Sequence, residues 1–198
     1  IRLKQLDEDL MVVVLEKGSE VGAHILSGAV LDPSGLDALI PDWKEKGAPL
    51  NVPVKKDNFY IFGEGGQMKI PNFLMPPLMS NHRNYAVSLG NVCRWLAGHA
   101  EARGVEIYPG FAATEVLYDE AGAVKGVATG DMGVEKNGEP GPAYTRGMEL
   151  LGKYVLIGEG VRGSLAKQLI EAHGGRFEIQ SRKGVGTSVN LWLPKKPR

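Results

Sequence analysis

Glu16 stands directly after a strand-length apolar run, Met11 to Leu15, and directly before a loop punctuated by Gly18 and Gly22. A carboxylate at a strand's carboxyl end is a pure acceptor, and sugar hydroxyls are donors that suit it. In dinucleotide-binding α/β folds an acid in this place holds the ribose hydroxyls of the adenosine half, roughly 20 residues after a glycine-rich turn. Counting back from Glu16 overruns Ile1, so that turn is expected upstream of the chain, with IRLKQLDEDL as the tail of the helix that follows it. On the strand and the acid alone a plain alternative stays open, a solvated Glu16 that only ends a strand. A second candidate lies at Gly158-Glu159-Gly160, which follows the apolar run Tyr154 to Ile157. Arg162, Gly163 and Ser164 then open a helix whose amides can face a phosphate.

Other chemistries are poorly supported. His24, Ser27 and Asp32 sit on one short loop and would have to fold back on themselves to act as a triad. His82, His99 and His173 are scattered with no second ligand at metal spacing, so no catalytic side chain and no metal site is expected. The single cysteine, Cys93, excludes an intrachain disulfide and any all-cysteine cluster, and its place on an apolar stripe reads as a small buried hydrophobe. The 198 residues carry 23 basic and 23 acidic side chains, formally neutral overall. Without a basic patch interleaved with aromatics, nucleic-acid binding has no support. No apolar run is long enough to span a bilayer.

The elements that must position these residues read as α/β. Met11 to Leu15 has the continuous apolar character of a buried parallel strand, expected beside Tyr154 to Ile157. Asn84 to Arg103 carries Leu89, Val92, Cys93, Leu96 and Ala100 at helical spacing, with Gly104 at C′. Strands are expected at 105–108, 113–118, 124–129 and 148–151, the middle two a hairpin around Asp119 to Gly122. Ahead of that helix the apolar run Lys69 to Asn81 is broken by Pro71, Pro76 and Pro77, which exclude a central strand or a regular helix. It either packs inward or forms an exposed apolar plateau for a membrane interface or an apolar ligand.

Six segments carry a more specific likeness: GAHILSGAVLDP (22–33), PDWKEKGAPLNVPV (41–54), NHRNYAVSLGNVCRWL (81–96), GVEIYPGFAATEVLYDE (104–120), GVATGDMGVEKNGEPG (126–141) and GEGVRGSLAKQLI (158–170). Together they resemble the electron transfer flavoprotein–ubiquinone oxidoreductase family over residues 1–170. The resemblance implies a truncated, Rossmann-like FAD-binding parallel sheet of the two-dinucleotide-binding type, with an inserted β-meander. It implies that Glu16, with Lys17 beside it, serves the adenosine ribose of FAD, that Gly22, Ser27 and Gly28 line a flavin-side loop, and that Gly158, Gly160, Arg162 and Gly163 pack near the cofactor. It also implies electron transfer flavoprotein and ubiquinone as partners. An apolar surface of the family's quinone domain enters the lipid monolayer, and Ile70, Phe73, Leu74, Met75, Leu78 and Met79 fall where it would be. Peripheral attachment to a bacterial or mitochondrial inner membrane follows. The cysteine ligands of the family's [4Fe–4S] cluster are absent from this sequence.

Residues 171–194, EAHGGRFEIQSRKGVGTSVNLWLP, resemble instead the end of a sensor histidine kinase ATP-binding domain, with Gly184 to Thr187 as its last glycine box. The expected organisation is a partial FAD-binding domain over 1–170 and a β-hairpin tail over 171–198. Three functions follow for comparison: an oxidoreductase fragment inactive by itself, a non-catalytic chimera joined within Leu165 to Ile170, and a nucleotide-binding regulatory module acting through the tail.

Overall fold

The computed structural model describes residues 1–25, 28–160, 163–182 and 186–194. The chain divides into two compact units, Ile1–Gly110 and Phe111–Arg198. The first contains α1 (Arg2–Leu6), β1 (Val12–Glu16), β2 (Gly28–Leu31), α2 (Ser34–Leu39), β3 (Val52–Pro53), β4 (Phe59–Gly63), β5 (Gly66–Ile70), β6 (Tyr85–Ser88), α3 (Leu89–Glu101) and β7 (Val105–Pro109). The second contains β8 (Ala113–Tyr118), β9 (Val124–Thr129), β10 (Met132–Val134), β11 (Pro140–Thr145), β12 (Glu149–Leu151), α4 (Ser164–Ala172), β13 (Arg176–Arg182) and β14 (Gly186–Trp192).

Three β-branched valines and a leucine precede Glu16 in β1, and the strand pairs in parallel with β7, from Val12 opposite Val105 to Glu16 opposite Pro109. Parallel partners need a long crossover, and α3 makes its return leg, packing on β7. Gly104 stops the helix: its φ of +77° suits a residue without a Cβ, and its N–H donates to Glu101 O at 2.8 Å. The predicted neighbour of β1 was Tyr154 to Ile157, and that expectation is overturned. No strand forms there, and Tyr154 and Leu156 are 91% and 85% exposed. Apolar content made the run look like a strand, but a strand also needs a ladder partner, and none reaches it among the described residues.

A second correction concerns the predicted helix over 84–103. Its first four residues after Asn84 instead form β6, the centre of an antiparallel sheet ordered β2-β6-β3. Tyr85 and Val87 are a period-two pair, and Val87 is buried with Leu36, Ile40, Trp43, Ala48, Leu50 and Val92 in this unit's core. Trp43 anchors that core, meeting Tyr85 edge-on at 5.7 Å while its indole N–H donates to Asp37 Oδ1 at 2.7 Å.

In the second unit β8, β9 and β12 form the predicted meander in the order β12-β9-β8. Its first turn is closed by Asp119, whose Oδ1 accepts from the amides of Ala121 and Ala123 at 2.9 and 2.8 Å. β10 and β11 make a separate ribbon between β9 and β12. The predicted tail hairpin is β13 with β14, and β13 packs on α4, which lies on β8.

Candidate functional site

β1 delivers Glu16 to the point where the parallel ladder ends. Beyond it the pairing continues through one backbone bond, Gly110 N–H to Gly18 O at 2.7 Å. The chain then turns back through Ala23 N–H to Glu20 O and Ile25 N–H to Gly22 O. Glu16 is half-buried, and its Oε1 accepts the Gly18 amide at 2.6 Å. No hydrogen bond or ion pair among the described residues engages its Oε2. The carboxylate is therefore oriented by its own loop and keeps one acceptor oxygen for a second donor. It lies close enough to α3 to act on Cys93, whose thiol is pushed up first by burial and then by the Glu16 charge. That thiol is a half-buried neighbour of the site rather than a nucleophile.

The glycines assigned to this region by resemblance have different reasons to be glycine. Gly22 is buried at φ +82°, and a Cβ on it would stand 2.9 Å from the Gly90 carbonyl oxygen at the start of α3. Gly28 lies inside β2 rather than on a loop, its Cβ position 3.0 Å from Val87 O. Both absences of a side chain serve packing within the unit. Lys17 is exposed beside Glu16, and Ser27 lies outside the described residues.

In the second unit Gly158 and Gly160 are exposed with nothing near their Cβ positions, and Gly160 takes φ +71° to turn the chain, accepting the Gly163 amide at 3.2 Å. Gly163 leaves room for Glu159, whose carboxylate would meet a Cβ there at 2.6 Å. Glu159 Oε2 accepts the amides of Leu165 and Ala166 at 2.9 and 3.3 Å. The α4 amides that the sequence offers to a phosphate thus already hold an anion, a carboxylate from the same loop. Arg162 lies outside the described residues.

The apolar segment after β5 is two 3₁₀ turns, Asn72–Leu74 and Pro77–Met79, the short units three prolines permit. Phe73 (83%), Leu74 and Met79 are exposed, whereas Ile70 and Met75 are half-buried, and the Leu78 side chain lies outside what is described. The plateau reading therefore loses Ile70 and Met75. It gains residues outside that segment: the β4–β5 hairpin exposes Tyr60, Ile61, Phe62 (74%) and Met68. Gly63-Glu64-Gly65-Gly66 between two apolar runs was the available hairpin signal. At the base, Asp57 joins hairpin and loop: its backbone oxygen accepts from Asn72 Nδ2 at 3.0 Å, and its carboxylate accepts from the Asn81 amide and side chain at 2.9 and 3.1 Å.

Comparison with known proteins bears on these groups together. No family model matches the sequence. The mitochondrial electron transfer flavoprotein-ubiquinone oxidoreductase of Dictyostelium discoideum is 56% identical over 184 residues, 91% of this chain and 30% of that protein. The Pseudomonas aeruginosa protein of the same name is 56% identical over 198 residues, covering 96% and 36%. The Mus musculus mitochondrial protein is 48% identical over 98% of this chain and 32% of its own length. These proteins are homologues of this chain. They are named as oxidoreductases, and the chain spans about a third of their length. Ninety-eight per cent of the chain leaves about four residues unmatched, so the match to the mouse protein runs into the segment after Ile170. Among solved structures, Thermovibrio ammonificans THI4 shares the fold at TM-score 0.50 and 17% identity, covering 89% of this chain and 58% of that one.

The fit to a flavin cofactor is partial. An oriented carboxylate with one oxygen that no described residue engages suits the ribose of FAD, but among the described residues the helix N-terminus offered for a phosphate is capped by Glu159. The fit to an iron–sulfur cluster fails outright, because a single cysteine cannot supply four thiolates.

Proposed function

We propose that this chain is the part of an electron transfer flavoprotein–ubiquinone oxidoreductase that holds the adenosine ribose of FAD and contributes to contact with the membrane surface. The observation that carries the first half is the Oε2 of Glu16 at the carboxyl end of β1, which no described residue engages. Glu16 orients and accepts from a ribose hydroxyl, Lys17 places a cation beside it, and the segment from Gly22 through Ser27 to Gly28 at the start of β2 serves the flavin side. Gly158, Gly160, Arg162 and Gly163 make up the second cofactor-facing segment. FAD, when bound, supplies the electron transfer through its ring system, and the protein's part is binding and orientation. The whole protein would take electrons from electron transfer flavoprotein and pass them to ubiquinone. Its cluster ligands and pyrophosphate site would come from sequence outside this chain.

Membrane contact is peripheral in this proposal. No helix among the described residues is long and apolar enough to cross a bilayer, while Phe62, Phe73 and Leu74 form exposed apolar groups on one unit. The division into 1–170 and 171–198 stands as a proposal beside this, opposed by the packing of β13 on α4.

The test of the ribose role uses adenosine. Chemical-shift changes at Glu16, Lys17 and Gly18 on adenosine addition, lost in Glu16→Gln, are expected. Equal shifts in wild type and variant would remove Glu16 from the site.

A further inference from the structure

At the root of the exposed hairpin lies a cavity of about 250 Å³ whose walls include Lys55, Lys56, His82, Ser80, Asn72 and Asn81. The two ammonium groups, the imidazole and the hydroxyl supply donors to the lining, while the amides of Asn72 and Asn81 are engaged by Asp57. Neither lysine forms an ion pair among the described residues. The one acid in the wall, Asp57, has both carboxylate oxygens drawn to Asn81, through the backbone amide at 2.9 Å and the side-chain amide at 3.1 Å. One negative charge therefore stands against two lysines, and the wall remains net positive.

The wall is also held in an uncommon backbone state. Asn84 N–H closes a turn onto Asn81 O at 3.0 Å, and Arg83 within it takes φ +73°, the one non-glycine residue with positive φ among those described. A left-handed conformation at a residue with a long side chain costs about 1–2 kcal/mol, and such strain collects at functional sites. The turn fixes His82 and Asn81 at the cavity.

Position decides which anion the cavity suits. β4 begins at Phe59, three residues after Lys56, and leads into Tyr60, Ile61 and Phe62, while Asn72 ties Asp57 to the loop that exposes Phe73 and Leu74. A group seated between the lysines thus lies at the base of two exposed apolar segments. Phosphate at the base of an apolar projection is the arrangement of a phospholipid at an interface, acyl chains beside the apolar groups and headgroup beside the cations.

We propose that this cavity binds the phosphate of an anionic phospholipid headgroup. The proposal rests on the membrane-contact reading above, and the test keeps the two apart. The chain is floated with vesicles of phosphatidylcholine alone and of phosphatidylcholine doped with phosphatidylglycerol. Expected is binding to both, tighter to the doped vesicles by about tenfold or more, each lysine near the surface contributing ~5-fold. Lys55→Ala/Lys56→Ala should abolish the preference and keep binding to phosphatidylcholine, with an unchanged melting curve. Lys136→Ala/Lys153→Ala, an equal charge change in the other unit, should keep it. Equal loss in both double variants would mean diffuse charge rather than a site, and would overturn the proposal. So would equal binding to the two vesicle types, which leaves membrane contact standing. Failure to bind either vesicle would remove both readings. If inorganic phosphate without vesicles raises the melting temperature through the same lysines while the vesicles show no preference, the ligand is a free phosphate and the lipid source is wrong.

Discussion

Gly22 and Gly90 meet backbone to backbone: a Cβ on Gly22 would sit 2.9 Å from Gly90 O and 3.1 Å from Gly90 Cα. The contact seats the loop that follows Glu16 on the first turn of α3, so the orientation of the candidate ribose acceptor depends on two glycines far apart in sequence. Gly22→Ala adds a left-handed conformation for a residue with a Cβ, which costs about 1–2 kcal/mol, and a displacement of backbone on top. Urea unfolding should show a loss of about 2 kcal/mol or more. Gly98→Ala is the control: it is exposed inside α3 with open space at its Cβ position, and should gain about 0.5–1 kcal/mol.

The difference between those two glycines shows where sequence stops being legible. Local signals were readable: a strand at Val12–Glu16, the stripe of α3 with its Gly104 stop, the Asp119 turn and the tail hairpin all form, but the burial expected of Met11 to Leu15 is overturned, since β1 has one ladder partner and leaves Met11, Val13 and Val14 exposed. Partner choice was not, because the sequence carries the same apolar signal at Val12 to Leu15 and at Tyr154 to Ile157, and only the first found a ladder partner. Glu159 was hidden for a related reason. Its capping role depends on Gly163 leaving a space, a fact of packing rather than of spacing.

Arg83 offers a test of strain without loss of contacts. Replacing it with glycine removes the left-handed penalty and raises the entropy of the unfolded chain, two effects of opposite sign. The net expectation for Arg83→Gly is a stability gain of up to ~1 kcal/mol, read by thermal or urea unfolding. A loss larger than that would mean that the Arg83 side chain holds the turn.

Glu159 should behave as a helix cap. Glu159→Ala leaves the Leu165 and Ala166 amides without their acceptor and is expected to cost about 0.5–2 kcal/mol. Amide exchange at those two positions should accelerate while the meander amides of β8 and β9 do not. Uniform acceleration across the unit would point to a wider structural role.

Acid should loosen the end of the meander through Asp131. Its carboxyl is held below the usual range first by the Gly147 amide at 2.7 Å and then by the Tyr144 hydroxyl at 2.9 Å, while the same contact raises the Tyr144 phenol. A group whose folded value is depressed stabilises the fold above its unfolded value and loses that contribution as pH falls through the folded one. The Gly147 amide shift should therefore titrate on the acid side of 3.8. In Asp131→Asn that titration should vanish.

Deletion of residues 171–198 tests whether the tail is a separate piece. Were it a graft, removing it would change stability by no more than about 1 kcal/mol, the scale of a change that removes no core. The structure argues for a larger effect. Gly175 N–H donates to Ile170 O at 2.9 Å, a Cβ on Gly175 would meet Ile170 Cγ2 at 2.8 Å and Trp192 O at 2.5 Å, and β13 lies on the helix that contributes buried Leu165. Removing β13 and β14 uncovers one face of α4, whose other face lies on β8, so the helix would lose one of the two elements that cover it. Cooperative unfolding of the second unit should broaden and its midpoint fall. An unshifted transition in the truncated chain would restore the folding boundary at Ile170.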